Sequence, residues 1–124
     1  MEGAQKRKRD RMPPITIYPQ LYVLELKQGK WYVGITYEFG RRLNQHMSGD
    51  GAVWTMRYPV ERVSRVELIK SGDPHQVERE VTLQLMQIYG YQNVRGGPWC
   101  QVEMSREPPF LFSAPVIEIK EEPP

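Results

Sequence analysis

Tyr22, Tyr32, Arg42 and His46 lie close together in the chain, and the carboxylates Glu78 and Glu80 follow further on. Hydrolysis of a phosphodiester needs a base for the water, cations for the phosphate charge and usually a metal at the attacking or leaving oxygen. The tyrosines would serve as base only if their usual pKa of about 10 were lowered by neighbouring charge. Arg42 offers a bidentate fork to a phosphate. His46, one turn further along, exchanges a proton near neutral pH. Glu78 and Glu80 offer the hard oxygen that magnesium takes from one or two carboxylates. Each residue also has an ordinary reading. Strand tyrosines usually pack, helix arginines are solvated or ion-paired, a lone helix histidine is structural, and glutamates line a wet face. Taken singly, the residues imply an α+β domain with a basic face.

The elements that would position these side chains follow from periodicity. Residues 21–26 and 31–36 are rich in strand formers, and Lys27-Gln28-Gly29-Lys30 between them signals a hairpin turn. Gly34 within the second strand marks a bulge or a close approach to the backbone. Over 38–47 the pattern turns helical. Phe39, Leu43 and Met47 share one face, with Arg42 and His46 beside it and Arg41 turned to solvent. Ser48-Gly49-Asp50-Gly51 ends this helix. Residues 52–59 read as a connector, and 60–70 alternate as a half-buried third strand. Asp73 is the expected N-cap and Pro74 the first residue of a second helix over 74–89. Its predicted stripe is Val77, Val81, Leu85 and Ile88, widened by Leu83 and Met86, and Gly90 stops it. Arg95-Gly96-Gly97-Pro98 reads as turn. The predicted architecture is α+β: a small, mainly antiparallel three-stranded sheet in β-β-α-β-α order, flanked by helices.

Composition bounds the remaining possibilities. The 124 residues suffice for one domain with tails, and 40% hydrophobic and 26% charged residues fit a globular protein. No apolar run approaches the roughly 20 residues that span a bilayer. The single cysteine, Cys100, forms no internal disulfide, which points to an intracellular setting. Net charge is only +2, so composition alone does not imply nucleic-acid binding. The domain is expected over 15–103, between a disordered basic tail at 1–14 and a proline-rich acidic tail at 104–124. Lys6-Arg7-Lys8-Arg9 reads as a nuclear-import signal, a phosphate-binding arm or a plain solubilising run. Phe110, Leu111 and Phe112 are placed to dock on the core. Val116-Ile117-Glu118-Ile119 would add a strand to the sheet edge of a protein partner.

In combination the residues say more. Tyr22, the Tyr32-Val33-Gly34 tripeptide, Arg42, His46 and a later helix with a central glutamate resemble the GIY-YIG nuclease family. The family's two short motifs correspond to Gln20-Leu21-Tyr22 and Tyr32-Val33-Gly34, and its arginine, eight positions after the second motif's glycine, to Arg42. Its metal-binding glutamate aligns with Glu80, and its late asparagine with Asn93. The resemblance covers roughly 19–94 and implies a DNA endonuclease dependent on Mg2+ or Mn2+. In it Tyr32 acts as the base-like residue with Tyr22 as partner, Arg42 clamps phosphate, His46 assists proton transfer and Glu80 holds the metal. Gly34, Arg41, Asn93 and Arg95 are expected at the substrate. Gln20 replaces the first motif's glycine, and Ile35 stands where some relatives carry a lysine, a role Lys30 would have to take over. These departures leave a second class open: a nucleic-acid-binding or assembly module that no longer cuts. With no cysteine cluster or appended repeat, sequence specificity would be low or supplied by a partner.

Overall fold

The computed structural model describes residues 17–109 and Leu111. Strand β1 (Gln20–Leu26) turns through Lys27–Gly29 into β2 (Lys30–Thr36). The turn needs two left-handed residues, Gln28 (φ 63) and Gly29 (φ 71). Such turns match the twist of the flanking strands. Helix α1 (Phe39–Met47) and a short α2 (Val53–Arg57) follow, then β3 (Val60–Leu68), α3 (Pro74–Tyr89) and a fourth strand, β4 (Val94–Gly96). As expected, the Asp73 side chain caps α3, accepting from the His75 N–H at 3.1 Å, and Pro74 opens the helix.

The sheet order is β3-β1-β2-β4. β1 pairs antiparallel with both β2 and β3, whereas β4 lies parallel to β2. The expected three-stranded antiparallel sheet is therefore corrected to a mixed sheet of four strands with three helices. Val94-Arg95-Gly96 is too short to show a strand period, and the glycines after it read as turn. Two more differences arise where predicted connector and core positions meet their neighbours. Residues 53–57 are helical rather than connecting. Met47 and Ile88, predicted to face the core, are 63% and 61% exposed; on α1 the buried position belongs to His46 instead.

Strand alternation sends β1 side chains to two cores. Leu21 and Val23 pack with Val33, Val94 and the α3 residues Val81, Leu85 and Met86. Tyr22, Leu24 and Leu26 pack on the opposite face with Trp54, Phe39 and Leu43. The sheet thus has α3 on one face and α1 with α2 on the other. Trp54 Nε1 donates to the Trp31 carbonyl at 2.9 Å, tying α2 to β2. Leu111 is buried against the first core and Met104 packs beside it. Phe110, Phe112, the basic run and residues 116–119 lie outside the described residues.

Candidate active site

Cross-strand register builds the centre of the site. Tyr22 stands directly opposite Gly34. A side chain at Gly34 would collide with the Tyr22 ring and hydroxyl, so the glycine lets the ring lean across the hairpin. The close approach expected at Gly34 is made by Tyr22. Tyr32 extends from the same face of β2, with ring centroids 6.2 Å apart. Helix α1 closes the cluster: Phe39 lies 5.4 Å from the Tyr22 ring, and His46 lies 5.0 Å from Tyr32. The start of α1 is fixed by Gln20, whose side-chain oxygen accepts from the Phe39 N–H at 3.1 Å. The residue that replaces the motif glycine thus caps the helix carrying Arg42 and His46.

Burial sets the protonation of this cluster. It raises the Tyr22 hydroxyl well above its usual value; the neighbouring Tyr32 adds to the rise and Arg42 opposes it. Tyr32 is raised as well, chiefly by burial, and again Arg42 works against the rise. Burial, helped by the Arg42 charge, pushes His46 down to about 4. At neutral pH the buried hydroxyls and the imidazole are all uncharged beside a permanent guanidinium. His46 Nε2 lies 2.8 Å from the Tyr22 hydroxyl, and its Nδ1 lies 2.8 Å from Thr55 Oγ1.

The acidic member of the cluster is Glu78. Its carboxylate raises both tyrosines, so it shares their electrostatic neighbourhood. Glu78 is itself raised by burial, partly offset by the Gly97 N–H and by His75. Glu80 is not brought to the tyrosines; its carboxylate accepts from Gln76. The two positions are about 200° apart around a helix, so both cannot face one surface. The structure thus brings Glu78, rather than the expected Glu80, towards the tyrosines. Arg42 and Glu78 line separate open clefts of about 300 Å³ and 540 Å³, and the tyrosines connect them electrostatically. Among the described residues no group of three or more His, Cys, Asp or Glu converges. One hard carboxylate beside an open cleft still fits a magnesium-type ion, which retains waters and binds substrate phosphate.

The remaining expected residues separate. Arg42 donates to Gln45 Oε1 at 2.7 Å and faces the tyrosines. Arg41 is exposed, pairs with Glu38 at 3.0 Å and lines the cleft beside Arg42. Asn93 accepts from Lys30 Nζ and donates to the Tyr89 carbonyl, each at 2.8 Å, so its amide braces the fold. Lys30 also lies 5.1 Å over the Tyr58 ring and does not stand in at position 35. Arg95 is 1% exposed and donates to four backbone carbonyls, those of Tyr91, Val94, Gln101 and Val102. With its donors so engaged, Arg95 is a structural residue and its expected substrate role is withdrawn. Thr55 was not singled out in the sequence, because it sits in a segment read as connector. No sequence signal marks it, because the short helix that places it emerges only in the fold.

A hairpin bearing two tyrosines, a helix-borne arginine and a glutamate from a later helix come together in one small α+β domain. Residues 18–85 match the family model described as the GIY-YIG catalytic domain, more than half of the chain, and the protein belongs to that family of nucleases, which generally depend on a divalent metal. A UPF0213 protein of Halalkalibacterium halodurans is 49% identical over 35 residues, 28% of this chain and 37% of the relative. A UPF0213 protein of Streptococcus pneumoniae is 46% identical over 44 residues, 35% of this chain and 44% of the relative. The chain thus spans less than half the length of the curated relatives it matches. No solved structure matches it. These relatives are bacterial, from cells that have no nucleus, which overturns the nuclear-import reading of Lys6-Arg7-Lys8-Arg9. No helix among the described residues is long and apolar enough to cross a membrane.

Proposed function

We propose that the chain is a divalent-metal-dependent endonuclease that hydrolyses phosphodiester bonds in DNA. One observation carries the reading. Tyr22 of β1 and Tyr32 of β2 stand side by side with ring centroids 6.2 Å apart, and Arg42 of α1 and Glu78 of α3 both lie within electrostatic reach of their hydroxyls. Arg42 grips a non-bridging phosphate oxygen pair with its fork and stabilises the charge gained at phosphorus. Tyr32, the less buried tyrosine, orients the attacking water. Because burial raises its hydroxyl, it rests as a phenol and takes up proton density only as attack proceeds, with Arg42 beside the developing charge. Tyr22 and His46 hold that arrangement from beneath. Glu78 would hold Mg2+ or Mn2+, which when bound supplies charge neutralisation at the leaving oxygen.

The test is cutting of single-stranded, branched and duplex DNA with either metal. Glu78→Ala is expected to lower cutting by about a hundredfold to a thousandfold with the fold intact. Glu80→Ala should stay within about threefold of the parent, as expected for a carboxylate outside the cluster. Loss at Glu80 but not at Glu78 refutes the assignment. If the parent protein binds these DNAs and nicks none of them, the enzyme reading fails and a nucleic-acid-binding module remains.

A further inference from the structure

Thr55 lies in α2 and is 2% exposed. Its hydroxyl donates to the Ala52 carbonyl at 3.0 Å and lies 2.8 Å from His46 Nδ1. A hydroxyl has one proton to give. With that proton on the carbonyl, Thr55 Oγ1 is an acceptor, and Nδ1 must carry the hydrogen between them. Nε2 then has only a lone pair, and the Tyr22 hydroxyl, 2.8 Å away, donates to it. Arg42, a pure donor, also bears on the Tyr22 oxygen and favours its lone pairs. In this arrangement every donor in the chain Tyr22–His46–Thr55–Ala52 has an acceptor. The reverse tautomer would aim the Nε2 hydrogen and the Arg42 hydrogens at the same oxygen and leave the buried Tyr22 proton without an acceptor among these groups. The charged and titratable groups facing the imidazole are Tyr22, Tyr32 and Arg42. Gly51 makes the approach possible, because a side chain there would collide with His46.

We propose that Thr55 is a positioning residue of the site: it holds His46 as the Nδ1–H tautomer, so that Tyr22 donates to Nε2 and turns its oxygen lone pairs to Arg42. The catalytic consequence rests on the nuclease reading; the tautomer does not. Thr55 acts only through His46, and its loss therefore alters the pose of Tyr22 and Arg42 rather than removing a group that touches DNA.

The experiment is nitrogen-15 NMR of the full chain labelled at its two histidines, with His46→Gln to assign the signals. The parent and Thr55→Ser are expected to show His46 protonated at Nδ1 and bare at Nε2. Thr55→Val, which keeps the shape and removes the acceptor, is expected to move His46 to the Nε2–H form or to a mixture. In cutting assays Thr55→Val should lower kcat by about tenfold to a hundredfold with KM for DNA within about twofold, and Thr55→Ser should recover to within about threefold. An Nε2–H parent overturns the proposal, as does a Thr55→Val protein that keeps the Nδ1–H form or the parental kcat. Should Thr55→Val not fold, the tautomers of the parent and of Thr55→Ser still decide it. A parent that never cuts DNA defeats the nuclease reading while the NMR result still settles the role of Thr55.

Discussion

Two arginines show how alike side chains reach opposite ends in one small fold. Arg42 and Arg95 both sit among aromatic rings, Arg42 beside Tyr22 and Tyr32, and Arg95 with its guanidinium 4.3 Å from the Trp54 ring centroid. Arg95 is sealed, and its donors go to four backbone carbonyls at 2.5 to 2.9 Å. Arg42 is half-buried at a cleft, and the groups it meets are the Gln45 amide and two titratable hydroxyls. Backbone carbonyls neither move nor titrate, so an arginine saturated by them holds loops together. An arginine facing hydroxyls and open space keeps a fork for an incoming anion. Proximity to aromatics does not distinguish the two; the destination of the donors does.

Exchange of the two arginines for alanine gives the largest contrast. Arg42→Ala should cost about a hundredfold or more in DNA cutting with little change in stability. Arg95→Ala leaves four carbonyls short of donors in the interior and should cost about 3 kcal/mol in urea unfolding. Equal destabilisation by both would erase the distinction. The histidine next to Arg42 yields an effect of similar size in a different variable. Its folded pKa, about 4, lies below the unfolded value of 6.5. Stability that is fully present above about pH 6.5 is therefore lost as pH falls toward 4, by about 3 kcal/mol. His46→Gln should flatten that part of the pH–stability curve relative to the parent, and parallel curves would show that the ring is not held neutral. Gly34→Ala forces a Cβ against Tyr22 and should cost about 2 kcal/mol, read as a lowered melting temperature. An unchanged melting temperature would mean that the ring has room to swing away. The smallest effect is expected at Gln20: Gln20→Ala removes a bond to the first turn of α1 and should cost about 1 kcal/mol by urea titration.

Legibility in the sequence followed the range of the interaction that decided each feature. The hairpin, the Asp73-Pro74 start of α3 and the Gly90 stop were readable because turn chemistry and capping act within a few residues. Gly34 was readable as a place of close approach, but the neighbour that fills it, Tyr22, is set by strand register. The choice between Glu78 and Glu80 was not readable, since α3 carries glutamates two apart and only docking of the helix selects which one turns inward. The structural role of Arg95, expected at the substrate, and the strand β4 escaped for one shared reason. A three-residue strand has no period of its own, and the carbonyls that capture Arg95 come from segments before and after it.

Alone, the sequence determined the hairpin with its two tyrosines, the helix bearing Arg42 and His46, and a later acidic helix. Local backbone preference and side-chain periodicity are written residue by residue, so these elements needed no tertiary information. The tertiary structure decided which side chains meet. It laid Tyr22 over Gly34, sank His46 where Met47 was expected, joined His46 to Thr55, turned Glu78 inward and sealed Arg95. Each of those outcomes depends on how one element rotates against another, and that rotation is fixed by packing both faces of a shared sheet, a constraint that no stretch of sequence carries by itself.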